Sequence, residues 1–232
     1  MNLMCADCPV RESAACAVLT EGERDVLAAA GQTRVLEAGE MLFAAGDEDA
    51  ACATLISGAL KVAAFDADGN EQILALVHPS GFVGELFAPF AHYDVIALTK
   101  SRLCTFARGD IERSLEDYPA LARALLKHSQ EDLLASRGLM ELAGHGKAEA
   151  RLAALLYDFA KAASQSSCHP AETFDLPLTR GEIANMLSLT IETVSRKLGQ
   201  LEKTGAIKRN GKRGIELIDP AMLEELSGRV LV

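Results

Sequence analysis

The chain has 232 residues, 49% hydrophobic and 24% charged, with a formal net charge of −10. That length can bury a core without cross-links, and the ordinary composition is that of a globular protein rather than a membrane-embedded one. No apolar run is free enough of charge to span a bilayer, and no basic segment followed by an apolar stretch opens the chain, so a cytoplasmic protein with no membrane partner is expected.

Residues 1–19 read as a loop carrying Cys5, Cys8 and Cys16 in a C-x2-C-x7-C spacing. In a reducing compartment these thiols argue against a disulfide framework. Metal ligation and redox chemistry stay open, since zinc and iron both take thiolates. In "TEGERDVLAAAG" Thr20 can cap a short helix, Glu23 completes a capping box and Gly31 stops it. From about Thr33 to Arg108, short apolar runs are cut by Gly39, Gly46, Gly58, Gly69, Gly81 and Gly84, and "DADGNE" reads as a hairpin with Asp68-Gly69 at its tip. Short strands with regular turn signals predict an antiparallel β-roll, barrel or sandwich. Cys52 reads as core, Cys168 as a loop thiol, and Cys104, taken alone, as a core residue.

From Asp110 the apolar period lengthens. "DIERSLEDYPALARALLKHSQEDLLASRGLMELAG" reads as a long helix, with Pro119 near the start of its main run. Its stripe Ala122, Leu126, Ser129, Leu133, Ser136, Met140 and Ala143 steps by four and three, the seam of a two-helix coiled coil, so a homodimer is expected. "KAEARLAALLYDFAKAA" is a second amphipathic helix and "SQSSCHPAE" a polar loop. The five histidines form no ligand-spaced pair. No nucleophile–base pair, Gly-rich phosphate loop or paired carboxylates stand out, so an enzyme is not expected.

The segment Thr179–Arg213 carries eight basic residues against three acidic ones, a basic island in an acidic chain and the charge a DNA-facing surface requires. Within it Thr179 and Glu182 can form a capping box, "SLT" a tight turn, Thr190 a second cap and Gly205 a helix stop. "AIKRNGKRGIEL" follows as a hairpin with Asn210-Gly211 at its turn. This is a winged helix-turn-helix, whose second helix enters the major groove of double-stranded DNA. Ile191, Glu192, Ser195, Arg196 and Gln200 face outward there. Arginine can donate two hydrogen bonds to guanine, glutamate can accept from cytosine, and serine can reach several partners. Glu192 and Arg196 could equally pair along the helix. Thr179, Arg180, Thr190, Lys197, Lys208, Arg209, Lys212 and Arg213 are candidates for phosphate.

Together these motifs resemble the Crp–Fnr family of bacterial transcription regulators over nearly the whole chain. The resemblance implies an α+β fold: a cysteine loop (1–19), an antiparallel, cyclic-nucleotide-binding-like β-roll sensor (20–109), a dimerisation helix (110–145) and a winged helix-turn-helix (146–232). Glu192, Ser195 and Arg196 in "ETVSR" match the FNR branch, which reads TTGAT half-sites. By that likeness Arg196 reads guanine, Glu192 the opposing cytosine and Ser195 a thymine. The branch that binds cyclic AMP uses a "GEL" turn and an arginine–serine pair. Gly84, Glu85 and Leu86 keep the turn, but Asp94 and Val95 stand where the pair belongs, so no cyclic nucleotide is expected. The cysteine spacing is similar to the FnrL and FnrN subgroup. That implies an oxygen-labile 4Fe–4S cluster on Cys5, Cys8, Cys16 and Cys104, in an activator that contacts RNA polymerase. Zinc, or reactive thiols or a small effector with no metal, are the alternatives. Where the enteric relative is described as using an acidic residue for charge repulsion on the dimer helix, this chain has Ser136, with Asp132 a turn earlier.

Overall fold

The computed structural model describes residues 5–48, 50–144, 146–164 and 169–228, with backbone alone at 139 and 141–144. The chain divides into two compact units, Met1–Ser136 and Arg137–Val232.

The first unit opens with two short 3-10 turns, Cys5–Asp7 and Ala15–Val18, and then helix α1, Glu21–Ala30. The capping box that starts α1 is formed: Thr20 accepts from the Glu23 amide at 3.4 Å, and the Glu23 carboxylate accepts from the Thr20 amide at 2.8 Å. Eight strands follow: β1 (Gln32–Leu36), β2 (Met41–Phe43), β3 (Cys52–Ser57), β4 (Leu60–Phe65), β5 (Glu71–Val77), β6 (Phe82–Val83), β7 (Asp94–Ala97) and β8 (Ser101–Phe106). They make two antiparallel four-stranded sheets, ordered β1-β8-β3-β6 and β2-β7-β4-β5. Leu36, Leu55, Leu60, Leu103, Val83 and Val95 fill the core of this roll, each buried aliphatic side chain contributing about 1.5–3 kcal/mol over exposure. The β4–β5 hairpin turns where "DADGNE" predicts, with the Asp66 carboxylate accepting from the amides of Asp68 (2.9 Å) and Asn70 (2.8 Å).

The long helix expected from Asp110 is two helices, α2 (Arg108–Asp117) and α3 (Pro119–Gly144). The break falls at Tyr118, which adopts φ −124° and ψ 81°, because the proline ring denies helical geometry to the residue before it. On α3, Leu121 and Leu125 are buried, whereas Leu126 (64% exposed), Leu133 (49%) and Met140 (66%) face outward. Ser129 is exposed too, and Ala122 and Ser136 are half-buried. The side chain of Ala143 lies outside the described residues. Leu134, absent from the expected stripe, is also 64% exposed.

The second unit packs α4 (Ala148–Ala163) through Leu152, Leu155, Leu156 and Phe159. Helices α5 (Arg180–Met186) and α6 (Ile191–Lys203) form the helix-turn-helix, and β9 (Thr173–Asp175), β10 (Ile207–Asn210) and β11 (Gly214–Leu217) form a sheet ordered β10-β11-β9. The wing turn is one residue longer than the two-residue turn expected. Asn210 pairs with Gly214 inside the ladder, leaving 211–213 as the tip, with Gly211 at φ +69°. Strand β9 falls just after the stretch read as loop. A final helix α7 (Pro220–Ser227), capped by Asp219 with Pro220 in its first turn, was not expected although "DPAMLEELSG" carries its start and stop signals. Among the described residues no helix is long and apolar enough to cross a membrane.

Candidate functional site

The first unit brings together four cysteines that the sequence keeps far apart. Cys5 and Cys8 belong to the first 3-10 turn and the residue after it, and Cys16 to the second. Cys104 sits on β8, paired with Thr33 of β1 on one side and Thr54 of β3 on the other. All four line one pocket. Cys8, Cys16 and Cys104 pack against the buried cluster of Val10, Ala14 and Ile56, and α2 and α3 add Ile111, Leu121 and Leu125 to the wall. Cys52 is fully buried and does not line the pocket. Cys168 lies outside the described residues.

Burial pushes the Cys104 thiol up to about 12, with the neighbouring Cys5, Cys16 and Cys8 adding to the rise. Burial also raises Cys16 and Cys5, and in each the Arg24 guanidinium opposes that rise. Without metal, Cys5, Cys16 and Cys104 are therefore disfavoured as thiolates and weakly nucleophilic. Among the described residues no three His, Cys, Asp or Glu side chains stand close enough to hold a single metal ion. Tetrahedral zinc, with every sulfur about 2.3 Å from one centre, would need them drawn inward. A 4Fe–4S cluster takes one thiolate on each of its four irons, and four thiols lining one mostly apolar pocket suit that donor requirement.

One residue of this pocket, Arg24, escaped the sequence reading, and Gly31, expected only as a helix stop, proves to pack beside the pocket. Arg24 is 7% exposed, donating from Nη2 to the carbonyls of Leu19 (3.0 Å) and Ala17 (3.3 Å). Gly31 backs onto the strand thiol: a β-carbon there would lie 2.7 Å from the Phe106 ring and 3.3 Å from Cys104 Sγ. Its φ of −90° suits any residue, so the constraint is contact alone. Gly31→Ala is expected to destabilise the fold by about 1–3 kcal/mol through overpacking, read from urea unfolding. An unchanged midpoint would show that the Phe106 ring moves aside freely.

The "GEL" turn is accounted for by packing. Gly84 has φ +137°, and a β-carbon there would come within 2.7 Å of Cys52 Sγ. Glu85 accepts from the His92 amide at 2.7 Å and contacts its ring. The Asp94 carboxylate accepts from the Ala45 amide at 2.6 Å.

In the second unit the helix-turn-helix is built by local chemistry. Thr179 accepts from the Glu182 amide (3.2 Å) and Glu182 from the Thr179 amide (2.8 Å), which completes the α5 capping box. Thr190 caps α6 through the Thr193 amide at 3.2 Å. Between them Ser188 adopts φ +51°, and Arg151 of α4, which the sequence reading passed over, donates to the Leu187 carbonyl at 3.0 Å and holds the turn. Gly205, at φ +79°, follows the end of α6.

On α6, Ile191, Glu192, Arg196 and Gln200 are exposed and Ser195 is half-buried. No Glu192–Arg196 ion pair is formed. Hydrogen bonds from its own amide and from the Thr190 hydroxyl hold the Glu192 carboxyl below its usual range. Arg180 donates to Ser195 Oγ at 3.3 Å. The phosphate candidates divide. Lys212 and Arg213 are exposed on the wing tip, and Lys208 is exposed while pairing with Glu216 at 3.3 Å. Lys197 instead donates to Gln200 at 2.8 Å and pairs with Glu149 of α4 at 3.7 Å. Arg209 is clasped by Glu202, its amide (3.1 Å) and Nε (2.9 Å) both donating to that carboxylate, and so ties β10 to α6.

Residues 33–118 match the cyclic nucleotide-binding domain family and residues 150–226 the Crp-like helix-turn-helix domain family. The chain is 35% identical to the transcriptional activator protein FnrL of Cereibacter sphaeroides, covering 97% of this chain and 92% of that protein. It is 31% identical to the fumarate and nitrate reduction regulatory protein of Vibrio cholerae, covering 97% and 90%. The solved structure of FixK2 from Bradyrhizobium japonicum superposes with a TM-score of 0.77 at 25% identity, covering 87% of this chain and 99% of that one.

Proposed function

We propose, from the premise that this chain belongs to the Crp–Fnr family of DNA-binding transcription regulators and is not an enzyme, that it is an oxygen-responsive member which binds TTGAT-type palindromes as a homodimer when its thiol pocket is loaded. The observation that carries this reading is the pocket shared by Cys5, Cys8, Cys16 and Cys104.

When bound there, a 4Fe–4S cluster would supply iron that takes up four thiolates and is lost in oxygen. Cys5, Cys8 and Cys16 then hold the N-terminal segment against Cys104 of β8. Ile111, Leu121 and Leu125 form the pocket wall and sense whether that segment is seated. Leu125 is the immediate neighbour of Leu126 on α3, so the pocket wall and the outward stripe of Leu126 and Leu133 belong to one rigid element. Seating the segment favours the conformer in which that stripe pairs with a second copy; loading must therefore differ in free energy between paired and unpaired states. Pairing sets two α6 helices about one DNA turn, ~34–36 Å, apart. With Ser136 rather than an acid at the expected position, charge repulsion adds little to the unpaired state, so unloaded protein stays partly dimeric and the rest of the change is one of helix register or domain orientation.

Glu192, Ser195 and Arg196 read bases, while Arg180, Lys208, Lys212 and Arg213 hold phosphates, helped by the amides at the Thr179 and Thr190 caps. Lys197 and Arg209 reach phosphate only by exchanging their carboxylate partners. Cyclic nucleotides are not the signal, since Asp94 is spent on the Ala45 amide. RNA polymerase is the protein partner, met through exposed loops of the β-roll, and the protein works in the cytoplasm.

Anaerobic purification tests the reading. The full chain should be brown, with a broad band near ~400 nm from thiolate-bound iron, and should contain iron and acid-labile sulfide in equal amounts. Both are expected to disappear in air. Colourless protein with one zinc per chain would make the cysteine loop a structural clip, and colourless, metal-free protein would favour thiol or small-molecule sensing.

A further inference from the structure

Two guanidiniums line the thiol pocket: Arg11, which pairs with Glu12 at 3.5 Å and Glu21 at 3.4 Å, and Arg24, which has no carboxylate partner among the described residues. Arg24 lies on α1, one turn past the Thr20 cap, and only 7% of it is exposed. Its Nη2 is spent on the carbonyls of Ala17 and Leu19, which shape the segment after Cys16. Its Nε is buried with no acceptor. No carboxylate forms an ion pair with it among the described residues, although Glu21, Glu23 and Asp25 lie on the same helix. A buried guanidinium without a counter-charge is costly, and an unpartnered buried donor calls for an explanation, an ion at the site being one. The group lines the pocket that holds Cys5, Cys8, Cys16 and Cys104.

We propose that Arg24 is the internal counter-cation of the thiolate site: its fixed positive charge and its unused Nε–H offset the negative charge of the loaded pocket. This rests on the cluster reading above. Four thiolates bring more negative charge than the iron and sulfide of a cube neutralise, so the loaded site is an anion placed against apolar walls. Cluster potentials follow net charge, hydrogen bonding to sulfur and solvent exposure, and Arg24 acts on the first two. It is a positioning and tuning residue, not a ligand. Arginine suits the role because it stays charged when buried and can hold two carbonyls while presenting a third donor.

The test uses the full-length chain, reconstituted without oxygen, as wild type, Arg24→Met and Arg24→Lys. Iron and sulfide content, the one-electron midpoint potential and the melting temperature of the metal-free protein are measured. In Arg24→Met the potential should fall by at least a tenfold shift in the oxidised-to-reduced ratio, ~59 mV for one electron, or loading should be lost while the metal-free melting temperature holds. Arg24→Lys keeps the charge without the planar fork and should recover loading and most of the potential. The inference is overturned if Arg24→Met matches wild type in both loading and potential. It is equally overturned if lysine does no better than methionine, since the carbonyl contacts alone would then be the function. Wild-type protein that binds no iron and sulfide would instead sink the cluster reading, and this inference with it.

Discussion

Replacing Cys104 by serine is expected to strip the protein of nearly all bound iron and sulfide while leaving the β-roll folded. Serine is close in size to cysteine, and residue 104 is only half-buried, so the hydroxyl can be accommodated in the strand. As a ligand it lacks the thiolate that iron–sulfur clusters are held by. Cys16→Ser should behave alike, because it faces the same pocket. Cys52→Ala is the control. That thiol is fully buried away from the pocket and packs beneath Gly84. Losing it should cost about 1 kcal/mol of stability as a small cavity and leave loading unchanged. Iron and sulfide analysis after anaerobic reconstitution decides between them. A Cys104→Ser protein that loads like wild type would remove the strand thiol from the ligand set.

Replacing Arg196 by alanine should weaken binding to a TTGAT palindrome by about 1–3 kcal/mol per half-site, from the loss of a bidentate contact to guanine. A dimer loses it twice, so about 2–6 kcal/mol is expected if the half-sites act independently. The side chain is exposed and has no ion pair to Glu192, so its removal leaves no buried group unpaired and should not disturb the fold. The loss should be accompanied by relaxed choice at the guanine position and by little change on random DNA. Titrations of both duplexes at one salt concentration read the difference. An equal loss on both would reassign Arg196 to the phosphates.

What the chain reveals by inspection follows how local the physics is. The capping boxes at Thr20–Glu23 and Thr179–Glu182 were legible because each is complete within four residues. Pro119 was legible as a helix start, yet its effect on Tyr118 was overlooked, and two helices were read as one. Strand β9 was missed because three residues, Thr173–Asp175, take their conformation from pairing with β11, some forty positions away. Charge placement suffered in the same way. Lys197 and Arg209 look like their basic neighbours in sequence, and only folding brings Glu149 and Glu202 to them. The convergence of the four thiols was reached through family resemblance rather than periodicity, and Arg24 stayed hidden because an arginine on a short amphipathic helix reads as surface.

Cys104 is laced on both sides into a hydrogen-bonded ladder, between Thr33 and Thr54, whereas its three companions sit on short turns that belong to no sheet. One of the four thiols is thus built into a sheet, and three are not. If the four thiols are loaded as proposed, releasing the three on the turns should leave the β-roll ladder in place, so each reloading would begin from an intact strand thiol.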